Sequence, residues 1–263
     1  AQNDPPTVEQ ELAAAKAIGS EGEIVASAFQ GNLDAYAGRM RQARELFSQV
    51  KEASLGAHLP ESAASFLAGQ AGWEAAYEQR QLAIEHAMAA LQLSSTRNIA
   101  LDSALALAVA GQERKALDAV SPFLKQRPDD TRLHQLWFPA LQAIAELTHG
   151  NAAKAVEILK PASAYDGGSA PVHYLRATAY LHSGHPAEAA QEYQKVLSLK
   201  LAHDFGPDPL LILSQLGLAR AYVAQGDKAK ARTAYQDLLA VWKDADPDLP
   251  LVQTTRAEYT KLQ

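Results

Sequence analysis

Few residues in this chain have types and spacings that could do chemistry. His182-Ser-Gly-His185 is the first group, two imidazoles set three positions apart. Imidazoles at short spacing suit zinc, which takes three or four ligands in a tetrahedral array. Here the pair straddles Gly184, a helix breaker, and the sequence offers no third ligand. An ordinary turn is expected. Asp244-Ala-Asp246-Pro-Asp248 is the second group, and it imitates the opening of a calcium loop. Such a loop then needs a glycine and, at its end, a bidentate glutamate. Leu249 and Thr255 stand at those places, so a helix-capping turn is expected instead. Carboxylates recur along the chain, but no pattern brings two into one dry pocket, as glycoside hydrolysis requires. The Walker A pattern, GxSxG and HExxH are all absent. There is no cysteine, which removes disulfides, thiolate nucleophiles and thiolate metal sites. The expectation is a protein that is not an enzyme, with no cofactor and no metal.

The informative signal lies in the elements that position side chains. Residues 217–239, GLARAYVAQGDKAKARTAYQDLL, hold two alanine-rich helical stretches that meet at Gly226-Asp227. Glycine closes a helix in the left-handed conformation at almost no steric cost. Asp227 is then suited to cap the next helix through its carboxylate. Helices joined so tightly fold back as an antiparallel hairpin. The device recurs at Gly184-His185-Pro186, Gly150-Asn151 and Gly111-Gln112. Five residues beyond these glycines stand Ala231, Ala189, Ala155 and Ala116, and seven residues before them stand Ala219, Ala177, Ala143 and Ala104. Gly38 gives a weaker case, with Ala43 after it and Gly31 before it. A unit around Ala71 and Ala83 lacks the glycine and is placed by its alanines alone. Gly150 to Gly184 spans 34 residues, while intervals of 39 and 42 flank it and call for short insertions at hairpin junctions.

The hydrophobic share of 48% and charged share of 21% suit a folded chain with a substantial core. Strand patterns are nearly absent, so the fold is all-α. The expected hairpins pair 22–37 with 39–54, 61–77 with 80–92, and 98–110 with 113–126. They continue with 131–148 and 152–161, 170–183 and 186–198, and 209–225 and 228–242. Thr7 with Gln10 and Ser20 with Glu23 read as capping boxes, the first opening an N-terminal helix over 1–21. A polar amphipathic helix over 249–263 is expected to cap the array. Residues 1–263 form one domain on this reading. Pro139 is a misfit, requiring either a helix start near Phe138 or a kink. Trp73 and Trp242 are expected in packing positions. Net charge is −6 and the basic residues are dispersed, so no nucleic-acid surface is expected. The apolar run at 104–110 is far short of the ~20 residues that span a membrane, so membrane insertion is not expected. The start at AQNDPP, without methionine, and the poorly covered first helices suggest a processed product or an excised piece.

These features resemble the tetratricopeptide repeat (TPR) family. Ala219, Tyr222, Gly226, Ala231, Tyr235 and Leu239 stand at its signature places, as do Ala177, Tyr180, Gly184, Ala189, Tyr193 and Leu197. Earlier units keep the small residues and lose the tyrosines, with Leu107 and Glu146 instead, and the family's early tryptophan is missing. GLARAYVAQGDKAKARTAYQDLLAVWKDADPDLPL, ALALAVAGQERKALDAV and LWFPALQAIAELTHGNAAKAVEILKPASAYD also look like one bacterial helical region. That region lies C-terminal to serine/threonine kinase domains, or to winged-helix regulator domains, in soil-bacterial proteins. The resemblance implies a superhelical solenoid of about six hairpins, working as a regulatory protein-interaction arm. In the resembling kinases a membrane helix can separate the two parts, which leaves cytoplasmic and extracytoplasmic placements both open.

In TPR arrays the first helix of each hairpin lines the concave face. Carried over position by position, that geometry implies Asn98, Leu101 and Leu105, then Trp137, Ala140 and Ile144. Tyr174, Thr178 and His182 follow, then Leu216 and Arg220. Trp137, Ile144, Tyr174, Thr178 and Arg220 are the candidate contacts for a protein or peptide partner. The family's lysine and asparagine clamp for carboxylate-ended peptides is not matched. The alternative function is a small-molecule sensor controlling an attached effector. A further expectation weighs against both: several of these side chains pack on an adjacent helix or on the chain's own insertions.

Overall fold

The computed structural model describes residues 10, 12–14, 17, 19–164, 169–199 and 206–262. The Thr7–Gln10 capping box, most of the helix over 1–21 and residues 202–205 of the expected junction insertion lie outside them. Six antiparallel hairpins follow one another. α1 (Ser20–Tyr36) pairs with α2 (Met40–Gly56), and α3 (Pro60–Ala76) with α4 (Arg80–Leu93). α5 (Arg97–Val109) pairs with α6 (Glu113–Gln126), and α7 (Phe138–Thr148) with α8 (Ala152–Leu159). α9 (Ala170–His182) pairs with α10 (Pro186–Ser198), and α11 (Pro209–Ala224) with α12 (Lys228–Val241). α13 (Pro250–Thr260) caps the last hairpin. The fold is an all-α, TPR-like solenoid.

The hairpin turns work as the sequence chemistry requires. At Gly226, φ is 77°, and the Asp227 N–H reaches back to the Tyr222 carbonyl at 3.0 Å, which satisfies a helix-end acceptor. The Asp227 carboxylate then accepts from the Lys230 N–H at 3.1 Å. In the second hairpin Glu78 takes the glycine's place at φ 62°, and Gln79 N–H donates to the Glu74 carbonyl at 2.8 Å. The backbone geometry is thus kept where the residue type is not. The eight alanines at the two fixed offsets are each at most 1% exposed, at places where paired helices touch most closely. Where Gly31 replaces such an alanine, the Phe47 ring fills the space, lying 2.8 Å from where a Cβ would stand.

Two helices differ from expectation. α1 is capped by Gly19, whose carbonyl accepts from the Glu23 N–H at 3.0 Å, so Ser20 is the first helical residue rather than the cap. The segment over 131–148 is helical from Thr131, widens into a π-helical turn at Leu133–Trp137 and is α-helical again from Phe138. Pro139 thus lies inside a continuous helix, and the wide turn stands directly before it, where the ladder has to pass over the missing N–H.

The array does not remain an open arc. α3, α5, α7, α9 and α11 each contact the next, and α11 returns to contact α3. Five first helices therefore make a closed ring, with the second helices outside. Gly72 on α3 lies opposite Pro209 at the start of α11, so small side chains permit the approach. The α1–α2 hairpin packs across this closure, and Met40 and Phe47 join one buried cluster with Trp73, Tyr77, Ile212, Leu216, Tyr235, Leu238 and Trp242. The middle hairpins enclose a separate, largely aliphatic cluster. The last hairpin and α13 therefore cover first helices whose cover was not evident in sequence.

Candidate functional site

The candidate contacts lie on α7, α9 and α11, with Trp137 at the end of the π-helical turn. Trp137 is half-buried against the middle cluster. Ile144 is 6% exposed and belongs to that cluster itself, so it supports the face from beneath. Leu101, Ala140 and Leu216 are likewise buried, while Asn98 and His182 are exposed. Tyr174 stacks at a tilt on Tyr193, with ring centroids 6.0 Å apart. Thr178 Oγ1 donates to the Tyr174 carbonyl at 3.0 Å, which leaves the Tyr193 hydroxyl to donate to Thr178 at 3.0 Å. Gly217 makes room for that ring, since a Cβ there would fall 2.2 Å from it. Burial raises the pKa of both tyrosine hydroxyls, so both remain protonated donors at neutral pH.

Arg220 is held by α13. Its guanidinium grips the Glu258 carboxylate with two bonds of 3.0 and 2.9 Å, and the Tyr235 hydroxyl donates to the same carboxylate at 2.8 Å. Burial alone would lower the Arg220 pKa, but the Glu258 charge outweighs it and raises it. The Arg220 charge acts on Tyr174 and Tyr193, so Tyr174, Thr178 and Arg220 share one electrostatic neighbourhood. The arrangement offers half-buried aromatic surface with a few fixed polar groups. It contains no activated nucleophile and no pair of unpartnered carboxylates.

Sequence reasoning missed the closure. The Trp242 indole N–H donates to the Tyr36 carbonyl at 3.2 Å and to the Tyr77 hydroxyl at 3.1 Å, and Tyr77 donates to the Ala35 carbonyl at 2.7 Å. Asp246 and Asp248, read as a capping turn, bind the α1–α2 corner. Asp246 accepts from the Arg41 N–H at 2.8 Å, and Asp248 pairs with the Arg41 guanidinium at 2.8 Å. A buried carboxylate was also missed: Glu74, fully enclosed, meets Arg44 at 3.2 Å and His86 at 2.6 Å. The available signal for the closure was two tryptophans outside the repeat signature, which marked burial without naming a partner.

Two open surface depressions among the described residues, of about 590 and 420 Å³, lie elsewhere. One surrounds the turn at Gly111–Lys115, and the other lies between α11 and α12 at Leu218, Tyr222 and Lys230. Among the described residues, no cluster of three or more His, Asp or Glu residues could hold a metal ion. Among them also, no helix is long and apolar enough to cross a membrane.

Comparison with known proteins places the repeats. Tetratricopeptide repeat models match residues 146–200 and 213–244. No curated protein matches. Among solved structures, "MamA RS-1 ArsTM double mutant" is 19% identical, over 78% of this chain and 97% of that one, with a TM-score of 0.40. The P58(IPK) TPR domain is 14% identical, over 91% of this chain and 79% of that one, with a TM-score of 0.37. The stretches 146–200 and 213–244, which hold α8 to α10 and most of the last hairpin, are thus similar to tetratricopeptide repeats.

Proposed function

We propose that this protein is a non-catalytic interaction scaffold that holds a protein or peptide segment against Trp137, Tyr174, Thr178 and Arg220, with Ile144 supporting them from the core. The observation that carries the reading is the half-buried aromatic pair on successive first helices, Trp137 beside α7 and Tyr174 on α9. Aromatic side chains in such positions supply large contact area at small entropic cost and are enriched at binding hot spots. The repeat matches support a scaffold role, because stacked helical hairpins serve as extended binding surfaces. The finer reading is a regulatory arm of a larger bacterial signalling protein, a kinase or a winged-helix regulator. It rests on the resemblance of 217–251, 104–120 and 136–166 to such regions.

Trp137→Ala/Tyr174→Ala is expected to abolish capture of the natural partner while the helical circular-dichroism signal stays unchanged. Capture that survives in a folded double variant would put the binding surface elsewhere.

A further inference from the structure

Leu218 and Tyr222 stand four positions apart on one face of α11 and form the half-buried floor of the depression of about 420 Å³ beside α12. Gln194 on α10 donates to the Tyr222 hydroxyl at 3.1 Å and holds that ring in place. Arg220 lies between the two in sequence, about 200° round the helix from each. It is held by Glu258 on the side of α13. The depression and the inner face therefore lie on different sides of α11.

The wall of the depression is one face of α12, with Lys230, Thr233, Ala234 and Asp237. Lys230 and Asp237 are two helical turns apart, about 10 Å along the axis, and Thr233 and Ala234 stand midway. Thr233 turns its hydroxyl back to the Ala229 carbonyl at 3.2 Å, so the middle of the wall asks for no polar partner. The centre is small, and the two ends carry opposite charge. Lys230 Nζ lies over the Tyr222 ring, 5.6 Å from its centroid, and its pair with Asp227 at 3.0 Å still leaves it 63% exposed. Asp237 is exposed and pairs with no cation among the described residues.

This face is complementary in charge to itself. A two-fold axis through its middle sets α12 antiparallel to α12 of another copy, with Lys230 of each copy opposite Asp237 of the other. A parallel arrangement would set lysine against lysine. Small side chains at the crossing let the backbones approach, and each α12 then covers the Leu218–Tyr222 floor of the other copy. We infer that this protein forms a two-fold dimer through α11 and α12, and that the occupant of the depression is α12 of a second copy. Covering the floor supplies the affinity, while the exposed ion pairs set register and direction. The dimer goes beyond the scaffold reading and does not rest on it. It leaves Arg220 and the inner face uninvolved, so one assembly presents two such faces.

Sedimentation velocity on the full chain, across the micromolar range, is expected to show a reversible equilibrium between monomer and dimer. Asp237→Lys sets lysine against lysine at both ends of the interface, and Lys230→Glu sets carboxylate against carboxylate. Each should raise the dissociation constant by about tenfold or more. An equimolar mixture of the two variants restores both pairs in the mixed dimer and should associate nearly as well as the unaltered chain. Thr233→Arg, exposed and at the axis, should abolish the dimer, and it tests the same interface if a charge variant folds poorly by circular dichroism. Arg114→Glu makes the same charge change as Lys230→Glu at an exposed position of α6 and should alter nothing. A chain that stays monomeric throughout overturns the inference. So does a dimer that none of the three interface variants weakens, or a mixture that associates no better than its components. Capture of a partner by Trp137 and Tyr174 is a separate readout, and none of these outcomes decides it.

Discussion

The middle hairpins and the seam of the ring, where α11–α13 meet α1–α3, solve the same packing problem with different residues. In the middle, helices adjacent in sequence meet through alanine, leucine and valine, with Ala104, Leu107, Ala116 and Val120 among the buried set. At the seam, helices far apart in sequence meet through Trp73, Tyr77, Tyr235 and Trp242. Hairpin partners are brought together by a short turn, so small side chains suffice and the backbones approach closely. Seam partners must find each other across the whole chain. Aromatic side chains bury more area apiece, and their polar tips accept only certain partners. The Trp242 indole, placed on Tyr36 and Tyr77, fixes which parts meet. Repeat arrays are held mainly by nearest-neighbour terms, and the seam adds a coupling between the ends that such a sum omits.

This contrast can be broken by substitution. Trp242→Ala should have the largest effect, about 3–5 kcal/mol of stability lost, by emptying a fully buried site and leaving the Tyr36 carbonyl short of a donor. Hydrogen exchange should show α1–α3 losing protection along with α11–α13. Leu107→Ala, equally buried in the middle, should cost about 2–5 kcal/mol and weaken its neighbours first. If both variants loosen the same segments in urea melts followed by exchange, the two regions are not distinct.

Gly38 and Gly111 sharpen the comparison, since both adopt left-handed backbone, at φ 76° and 81°. A Cβ at Gly38 would stand 2.5 Å from Ala245 Cβ across the seam, while one at Gly111 would meet nothing within 4 Å. Gly111→Ala should cost about 1–2 kcal/mol from backbone strain alone. Gly38→Ala should cost about 1–3 kcal/mol more through overpacking. Equal melting temperatures for the two variants would show that the seam yields without cost.

Acid should act on the fifth hairpin through Glu192. Burial raises its pKa, but hydrogen bonds from His173 and Lys195 and the charge of Arg176 outweigh that and hold it at about 2, below its ordinary 4.5. A carboxylate with a depressed folded pKa stabilises fully above the unfolded value and loses that stabilisation as pH falls. The expected loss runs from about pH 4.5 down to about 2 and should be missing in Glu192→Gln. A variant that keeps the same acid limb would place the sensitive carboxylate elsewhere. The smallest effect belongs to Glu78→Gly, a gain of at most about 1 kcal/mol. It relieves a left-handed non-glycine residue while adding entropy to the unfolded chain.

Much of the local structure was legible. Gly226-Asp227 and its repeats marked the hairpin turns, and α6 spans Glu113–Gln126 as expected even though Pro122 lies inside it. The second hairpin lacks its glycine but was placed by Ala71 and Ala83, because close helix approach demands small side chains whatever the turn residue is. The candidate site was legible only as positions. That Ile144 is buried, that Arg220 is taken by Glu258, and that Thr178 bridges two tyrosines depend on neighbours from other hairpins.

The sequence by itself determined the helices, their pairing into hairpins and the faces they bury. Those properties follow from periodicity and turn chemistry within a few tens of residues. Only the tertiary structure decided that the array closes and that Asp246 and Asp248 dock on the α1–α2 corner. Closure depends on small rotations accumulated from hairpin to hairpin. No single residue encodes them, and a contact between Tyr77 and Trp242, 165 positions apart, leaves no local pattern to read.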